Sequence, residues 1–464
     1  MGVCLGRVRT VNRCEGGGVL KKVGCLSATE EQWNRREFIT VGSLGFLGIH
    51  LSQALRLEAA MKETIAQTRP KARACILVWL GGGPSQVDTW DPKPNSSFRP
   101  ISTNVAGIQI SELLPKLARR MDKLAIIRSV RSFGNDHPQA VHYAATGHLH
   151  NPAMQFPSLG SVVAKELGSE KNMPPYVIVP RWEKNRQYQD YFKSAFLGAD
   201  YTPMTISDPS SEDYEIPNLS LPKSLMPAVV ENRRLFLDAV DRLYRQKVES
   251  LEHSRLDDFV EKAWSMILTP GVGDAFDLSK EAQKTREAYG QDSVGQSLLL
   301  ARRLVESGTR FVTAAGFHEN SWDTHSDNDK GHRDRLTPPL DRALSALIDD
   351  LDQRGLYDST VVVAMGEFGR TPHINPGLGR DHWPNCWSLV LGGGGIKTGQ
   401  VVGQSDEQGA VIVNQPISIG DVFATVYKAL GIDWHKEYMT PVGRPIKIAN
   451  SFDDLTGKPV SELI

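Results

Sequence analysis

The chain is poor in cysteine and carries almost no net charge. Five cysteines among 464 residues are too few for a disulfide-stapled scaffold. The 53 basic and 54 acidic side chains leave a formal charge of −1, which excludes a strongly basic nucleic-acid binder and an acidic disordered tail. Glycine (41) and proline (27) are too sparse for a fibrous or low-complexity chain. A composition of 40% hydrophobic and 23% charged residues therefore predicts a folded globular protein.

The common catalytic signatures are also missing. The sequence has no G-x-S-x-G elbow, no H-E-x-x-H helix and no C-x-x-C pair. The glycines that follow the first apolar run fit neither a P-loop nor a dinucleotide fingerprint, and a tight turn explains them equally well. These absences exclude the common hydrolase and zinc-finger signatures.

The first 60 residues indicate export. A paired arginine within Asn34–Ile39 precedes a mildly apolar, glycine-punctuated stretch from Phe38 to Leu55, the pattern of a twin-arginine signal. We therefore expect the twin-arginine translocase to handle residues 1–60 and the protein to be periplasmic or extracellular. It would stay membrane-tethered if the leader is retained. A permanent membrane anchor is the alternative, although His50 and Gln53 interrupt the stretch.

Cleavage of the leader would reduce the number of cysteines in the mature chain. Cys4, Cys14 and Cys25 would leave with it, so that Cys75 and Cys386 remain. Both lie in apolar runs that are typical of strands, and we expect buried structural thiols rather than a disulfide.

The rest of the chain, residues 61–464, alternates strand and helix patterns. Apolar runs predict buried strands, and 3.6-residue periodicity predicts helices. This alternation predicts an α/β protein, a three-layer α/β/α sandwich with a mostly parallel central sheet. Residues 181–290 break the pattern and are interpreted as a largely helical insertion that forms a lid. The predicted strands are 74–80, 124–127, 176–179, 310–315, 360–365 and 387–391, and the predicted helices are 111–121, 137–146, 159–167, 224–268, 295–307, 336–354 and 419–430.

Candidate functional residues follow the predicted strands, where ligands of open α/β sheets bind. After strand 310–315 come Asp323 and His325, in a loop with further His and Asp residues. Imidazole nitrogen and carboxylate oxygen suit zinc, manganese or iron. A solvated polar loop is the alternative interpretation.

The next predicted strand, 360–365, leads to Glu367 and then to Arg370, Arg380 and His382. Glu367 would be a rigidly held carboxylate ligand, and His382 would complete a metal shell with Asp381 to orient it. The two arginines can clamp an anionic oxygen. A surface ion pair between Arg380 and Asp381 is the alternative.

Two more loops carry candidates. Asp88 and Asp91 follow the first strand, and His137 and His142 lie on one predicted helix but too far apart in register to share a face. One of these histidines can therefore be a core residue.

Three motifs together with the leader resemble one bacterial family. The segments Gly81–Pro94 (GGGPSQVDTWDPKP), Gly366–Pro372 (GEFGRTP) and Gly379–Pro384 (GRDHWP) resemble the exported family catalogued as domain of unknown function 1501. The resemblance covers nearly the whole mature chain. That family is in turn similar to the alkaline phosphatase and sulfatase superfamily, which implies an alkaline phosphatase-like sandwich with a metal site at the carboxyl edge of the sheet.

The superfamily resemblance also implies roles for individual residues. Asp88, Asp323, His325, Glu367 and His382 match its metal-ligand positions, although Glu367-Phe368 stands where an Asp-His dipeptide is expected. His137 falls at the position of the nucleophile, with no Ser, Thr or Cys in register. The implied cofactor is a divalent metal: zinc, manganese or calcium.

Two functions follow as hypotheses. The first is an exported metal-dependent hydrolase of phosphate or sulfate esters, with His137, Arg370 and Arg380 as catalytic residues and an anionic small molecule or glycan as substrate. The second is a non-catalytic metal-containing binding module for an anionic glycan or a partner protein. No nucleic-acid partner is expected, and the sequence is silent on oligomeric state.

Overall fold

The computed structural model describes residues 72–183, 186–214, 232, 263–269, 271–317 and 320–464. The predicted leader at 1–60 lies outside these ranges, as do His318, Glu319 and most of the helix predicted at 224–268.

Among the described residues, eight strands form a central sheet in the order β12-β4-β11-β8-β1-β7-β5-β6, and eight others pair as small two-stranded sheets. The strands are β1 Ala74–Trp79, β2 Pro100–Ser102, β3 Gln109–Ser111, β4 Ala125–Val130, β5 Tyr176–Val179, β6 Met204–Thr205, β7 Phe311–Ala314, β8 Thr360–Met365, β9 Gly369–Arg370, β10 His382–Trp383, β11 Trp387–Gly393, β12 Gln400–Val402, β13 Gln404–Ser405, β14 Ile412–Asn414, β15 Glu437–Met439 and β16 Pro445–Lys447.

The central sheet is parallel except for one strand. β1 pairs in parallel with β7 and β8, β5 pairs in parallel with β6 and β7, and β12 pairs in parallel with β4. β11 alone runs antiparallel, between β4 and β8. Seven strands of this sheet therefore present their carboxyl ends at one edge, and the loops that follow them meet there.

In the described part of the chain, the helices that connect and cover the strands include α1 Pro115–Ala118, α2 His137–Thr146, α3 Leu159–Leu167, α4 Arg186–Asp190, α5 Val272–Phe276, α6 Gln283–Tyr289, α7 Ser293–Ser307, α8 Asn328–Gly331, α9 Thr337–Gln353 and α10 Ile419–Leu430. A π-helical segment, His332–Leu336, joins α8 to α9. Short 3-10 turns lie at Met121–Lys123, Ala195–Leu197, Ala199–Tyr201, Leu278–Lys280, Tyr357–Ser359 and Phe452–Asp454.

The hydrophobic core lies on both faces of the sheet. Successive side chains of a strand point to opposite faces, and in β1 Cys75 and Leu77 pack with residues of α2, α3 and α10, whereas Ile76 and Val78 pack with residues of α7 and α9. The predicted α/β class, with helices on both sides of a mostly parallel sheet, is confirmed. Cys75 and Cys386 are free thiols in the buried interior, as expected.

Most predicted elements are present, with one clear exception. The helix predicted at 111–121 is wrong for most of its length, because only α1 forms there and Ser111 ends strand β3. Pro115 begins α1 at its first turn, and a 3-10 turn replaces the helix from Met121. Within the proposed insertion, β6 extends the central sheet.

No helix in the described part of the chain has the length and the apolar character that are needed to cross a membrane.

Candidate metal site at the carboxyl edge of the sheet

Histidines and carboxylates from several loops meet at the carboxyl edge of the central sheet. His137 follows β4 and begins α2, where Asp136 caps the helix by accepting a hydrogen bond from the Gln139 amide at 3.1 Å. Asp323 and His325 follow β7, and His382 lies in β10, which pairs with β9 just after β8. The sheet topology therefore brings together side chains that are nearly 250 residues apart in sequence.

The centre of this group is a compact triangle of ligand atoms. Nε2 of His325 lies 2.9 Å from Nε2 of His382, and each of these nitrogens lies 3.2 Å from Oδ1 of Asp323. Zinc binds nitrogen and oxygen at about 2.0–2.2 Å, so ligands around a tetrahedral ion stand roughly 3.3 Å apart. The spacing of these three atoms is therefore close to that of a metal's ligand shell.

His137 lies on the other side of Asp323 and joins it to Glu367. Nε2 of His137 is 3.2 Å from Oδ2 of Asp323, and Nδ1 is 2.8 Å from Oε1 of Glu367. Glu367 is completely buried and also accepts a hydrogen bond from the Gly82 amide at 2.9 Å. Glu367 thus reaches the cluster through His137.

Two acceptors fix the outer nitrogens of the cluster. Nδ1 of His325 lies 2.6 Å from Oδ1 of Asp381, and Nδ1 of His382 lies 2.7 Å from the carbonyl oxygen of Asn135. Asp381 therefore orients His325 and not His382, which corrects the sequence-based expectation. Such contacts leave Nε2 of each ring as the lone-pair donor, the arrangement that metal-binding histidines usually show.

Arg370 holds Asp323 in place from beneath. Its guanidinium donates to Oδ1 of Asp323 at 2.6 Å, to the Gly83 carbonyl at 3.0 Å and to the Arg380 carbonyl at 3.1 Å, with a further bond to the Gly82 carbonyl. The side chain is completely buried. Gly82 has φ +106°, and a Cβ there would come within 2.5 Å of the Asp323 amide, so only glycine permits this close approach.

Asp88 and Arg380 form a separate buried ion pair. Nε of Arg380 lies 2.8 Å from Oδ2 of Asp88, and both side chains are completely buried. Asp88 also accepts hydrogen bonds from Ser85 at 2.6 Å, Ser96 at 2.6 Å and Asn328 at 2.9 Å. Arg380 also donates hydrogen bonds to backbone carbonyls. The structure does not bring this pair into the His137–Asp323–His382 group.

The cluster shifts the pKa values of two of its members. Burial alone would lower the pKa of His137, but its contacts with the carboxylates of Asp323 and Glu367 raise it to about 9. Burial would raise the pKa of Asp323, but contacts with His137, His382 and Arg370 hold it well below its usual range. Asp323 is therefore ionised at neutral pH.

The residues present fit a divalent cation. Ligand atoms of His137, Asp323 and His382 all lie within 4.8 Å of one another. Oε2 of Glu367 is buried and has no hydrogen-bond partner among the described residues. Buried polar atoms without partners are costly and uncommon. An ion bound within the cluster would therefore satisfy nitrogen and oxygen lone pairs that face one another here.

Three further histidines, His332, His142 and His148, have structural contacts. His332 is buried against Trp322, with Nδ1 2.9 Å from the Asn328 carbonyl oxygen. His142 and His148 are buried on α2 and just after it, each with one ring nitrogen 3.0 Å from a backbone carbonyl oxygen. Tyr188 of α4, which sequence reasoning missed, lies with its ring 6.5 Å from that of His137. The Tyr-rich composition of 181–223 was its only sequence signal.

Solved structures with a similar fold come from several enzymes. The chain is similar to the PsFucS1 sulfatase from Pseudoalteromonas sp. (13% identity, 82% of this chain and 72% of that chain, TM-score 0.39). It is also similar to the phosphonate monoester hydrolase SpPMH from Silicibacter pomeroyi (11%, 84% and 76%, TM-score 0.34) and to the C-terminal periplasmic domain of EcEptC from Escherichia coli in complex with Zn (11%, 85% and 92%, TM-score 0.37). At such identities and TM-scores these likenesses say nothing about the reaction.

Sequence comparison gives a firmer result. No curated protein matches the chain. The model of one protein family, described as "Protein of unknown function (DUF1501)", matches residues 72–464, which is most of the chain and includes all the residues of the cluster. The chain therefore belongs to the DUF1501 family.

Proposed function

We propose that this protein is an exported metal-dependent hydrolase of phosphate or sulfate esters. The observation that carries the proposal is the triangle of His325 Nε2, His382 Nε2 and Asp323 Oδ1, whose atoms stand 2.9–3.2 Å apart. Three lone-pair donors gain little from facing one another unless a cation lies between them. In this proposal Asp323, His325 and His382 hold the metal.

The donor set favours a particular class of ion. Two imidazoles and one carboxylate suit zinc or manganese better than calcium, which prefers a shell of oxygen ligands. When bound, such an ion would supply Lewis acidity toward an ester oxygen and would lower the pKa of a coordinated water.

His137 and Glu367 are the proposed catalytic pair. Glu367 fixes the ring of His137 through Nδ1, so that Nε2 points toward Asp323 and the cluster. With its pKa raised to about 9, the ring is protonated at neutral pH, and Nε2 can donate a proton to the leaving oxygen. The His137–Glu367 contact gives the ring a defined orientation, and the Gly82 amide in turn holds Glu367.

The two arginines have a supporting role in this proposal. Arg370 is buried and donates to Asp323 and to three backbone carbonyls, so it holds a ligand rather than a substrate. Arg380 is paired with Asp88 and anchors the chain that leads to Asp381 and His382. We therefore assign Asp88, Arg370 and Arg380 to positioning, and Glu367 to proton transfer instead of metal binding.

The test combines metal content with turnover. Asp323→Ala and His382→Ala should each abolish cleavage of para-nitrophenyl phosphate and para-nitrophenyl sulfate and should lose bound metal. Their circular dichroism should match that of the unmodified chain. Asp358→Ala, at an exposed carboxylate away from the cluster, is the control and should change neither property. Full turnover in either cluster variant would contradict the assignment.

A non-catalytic binding module for an anionic glycan or a partner protein is the second candidate. It is favoured by Arg370 and Arg380, which are completely buried. Both donate their hydrogen bonds to groups of the protein, so neither is free to bind the anionic oxygen of a reacting ester. The two candidates differ in one result: metal that is bound stoichiometrically with no turnover of any phosphate or sulfate ester would favour the binding module.

Export is part of the proposal and rests on the sequence of residues 1–60. Replacing both Arg35 and Arg36 by Lys should retain the chain in the cytoplasm, whereas a variant of Lys21 and Lys22 should still be exported. Export of the double Arg→Lys variant would refute the twin-arginine route.

A further inference from the structure

A cavity with a mostly cationic lining lies between helices α1, α6 and α9. Its volume is about 630 Å³, and its lining includes five cationic side chains but only two carboxylates. The cations are Lys116, Arg119, Arg120, Lys284 and Arg342, and the carboxylates are Asp349 and Asp350. The volume falls within the range of pockets that hold small ligands, about 300–1,000 Å³.

Both carboxylates of this cavity are already neutralised. Asp349 accepts a bidentate pair of bonds from Arg120. Asp350 is paired with Arg302 at 2.8 Å and with Arg354 at 2.6 Å. Neither carboxylate of the lining is therefore free to pair with the other cations of the cavity.

Three cations have no partner in the described part of the chain. Arg342 pairs with Asp292, outside the lining. Lys116, Arg119 and Lys284, in contrast, make no side-chain hydrogen bond or ion pair with any described residue. The nearby carboxylate of Asp341 interacts electrostatically with Lys116, but its hydrogen bonds go to backbone amides, with Oδ1 2.8 Å from the Leu117 nitrogen.

A buried hydroxyl adds an independent observation. Ser345 lines the cavity from α9, is 2% exposed, and its Oγ has no hydrogen-bond partner among the described residues. A buried hydroxyl without a partner is unfavourable unless a ligand or water completes it. The cavity therefore combines an unsatisfied donor on its wall with unpaired positive charges at its rim.

The cavity is separate from the metal cluster. α9 begins at Thr337, close after the loop that carries Asp323 and His325, and the lining residues continue to Gln353. At about 1.5 Å of rise per residue the helix carries the far end of the cavity roughly 24 Å from Thr337. No residue of the cluster lines it.

We propose that this cavity binds a compact oxyanion with three or more negative charges, of the diphosphate type. Three unpaired cations match such a charge, and an oxygen of the anion would accept a hydrogen bond from Ser345. The assignment is independent of the proposed hydrolase activity, because no residue of the metal cluster takes part.

The test is calorimetric titration of the full chain with inorganic diphosphate at low salt, without added metal. One binding event is expected, at least tenfold tighter than that of inorganic phosphate. Ser345→Ala and Lys284→Gln should each weaken it roughly five- to tenfold, the effect of one hydrogen bond or one charge-assisted contact. Lys458→Gln removes the same charge from an exposed position elsewhere and should leave the affinity unchanged.

A second experiment tests whether the cavity binds independently of the metal cluster, and it uses the His382→Ala variant. Diphosphate should bind the His382→Ala variant as tightly as the unmodified chain. Loss of binding in His382→Ala would overturn the proposal, and so would equal affinities in the unmodified chain, Ser345→Ala and Lys284→Gln. Absence of any binding would overturn it as well. Alanine is a good helix former, so Ser345→Ala should fold, and the exposed Lys284 provides a variant that does not touch the core.

Discussion

Asp88 and Asp323 each follow a parallel strand of the same sheet, yet their surroundings are opposite. Asp88 is completely buried, and two hydroxyls, an amide and a guanidinium saturate it. Asp323 is 25% exposed and lies among three imidazoles, with Arg370 as its one strong donor. A carboxylate whose neighbours are all hydrogen-bond donors stabilises the fold, whereas a carboxylate that lies among imidazole rings is suited to bind a cation.

The histidines divide in the same way. His137, His325 and His382 each direct a nitrogen toward the carboxylate of Asp323, whereas His142 and His148 are buried and bond to backbone carbonyls. Burial lowers the pKa of both His142 and His148 to about 4, so they are neutral in the folded state. The edge of the sheet therefore carries the candidate chemistry, and the layer beneath it carries structural polar residues of the same types.

The largest expected effect is on stability, at Asp88. Asp88→Ala leaves Arg380 buried without its partner, and the loss of one member of a buried pair costs about 3–5 kcal/mol of unfolding free energy. Urea denaturation followed by circular dichroism measures it. Asp358→Ala, at an exposed position, should change stability by less than about 0.5 kcal/mol. Equal stabilities for both variants would refute a structural role for Asp88.

The next effect is on turnover, at His137. His137→Gln should lower the rate of ester cleavage roughly 10²- to 10⁴-fold, which is the usual contribution of a general acid–base residue. Bound metal should remain near the level of the unmodified chain, because Asp323, His325 and His382 are intact. If elemental analysis shows that the metal is lost, His137 is instead a ligand.

A smaller effect is expected at Asp381, whose carboxylate orients His325 and is 51% exposed. Asp381→Asn should weaken metal affinity about 10- to 100-fold, as is typical when the partner of a ligating histidine is altered. Competition with a chromogenic chelator measures the affinity. The free energy of unfolding should change little. A large loss of stability would instead give Asp381 a structural role like that of Asp88.

A separate effect is a pH dependence of stability that arises beneath the site. The pKa values of His142 and His148 are about 4 in the folded state, against about 6.5 in an unfolded chain. Between those values the unfolded state binds more protons, so these residues make stability fall as pH falls from about 6.5 to 4, with no further loss below that.

The matched variants for this pH effect keep the hydrogen bonds and remove the titration. His142→Asn can still donate to the His148 carbonyl, and His148→Gln can still donate to the Lys447 carbonyl. Each should reduce the slope of unfolding free energy against pH by at most about 1.4 kcal/mol per pH unit. An unchanged slope would mean that these histidines titrate normally in the folded protein.

The sequence predicted the layers of the fold better than the contacts of the site. Helix 137–146 and strand 360–365 were correct in both bounds, because capping by Asp136 and a run of β-branched residues are local signals. The helix expected at 111–121 failed because a strand and a proline divide that segment.

The sequence also pointed to the candidate side chains but not to their grouping. That His137, Asp323, His325 and His382 follow strand ends could be seen in the pattern. Which carboxylate would be matched by a buried arginine could not, because Asp88 and Arg380 are 292 positions apart and their pairing depends on how the loops pack. Asp381 binds His325 rather than its neighbour His382 for the same reason.

The most direct test of the account is metal content, measured by elemental analysis on mature protein that is purified after export without chelator. The account predicts about one equivalent of zinc or manganese per chain, lost in an Asp323→Ala/His325→Ala double variant and retained in Asp358→Ala. A metal-free protein with an intact fold would contradict it, and so would metal that is retained in the double variant.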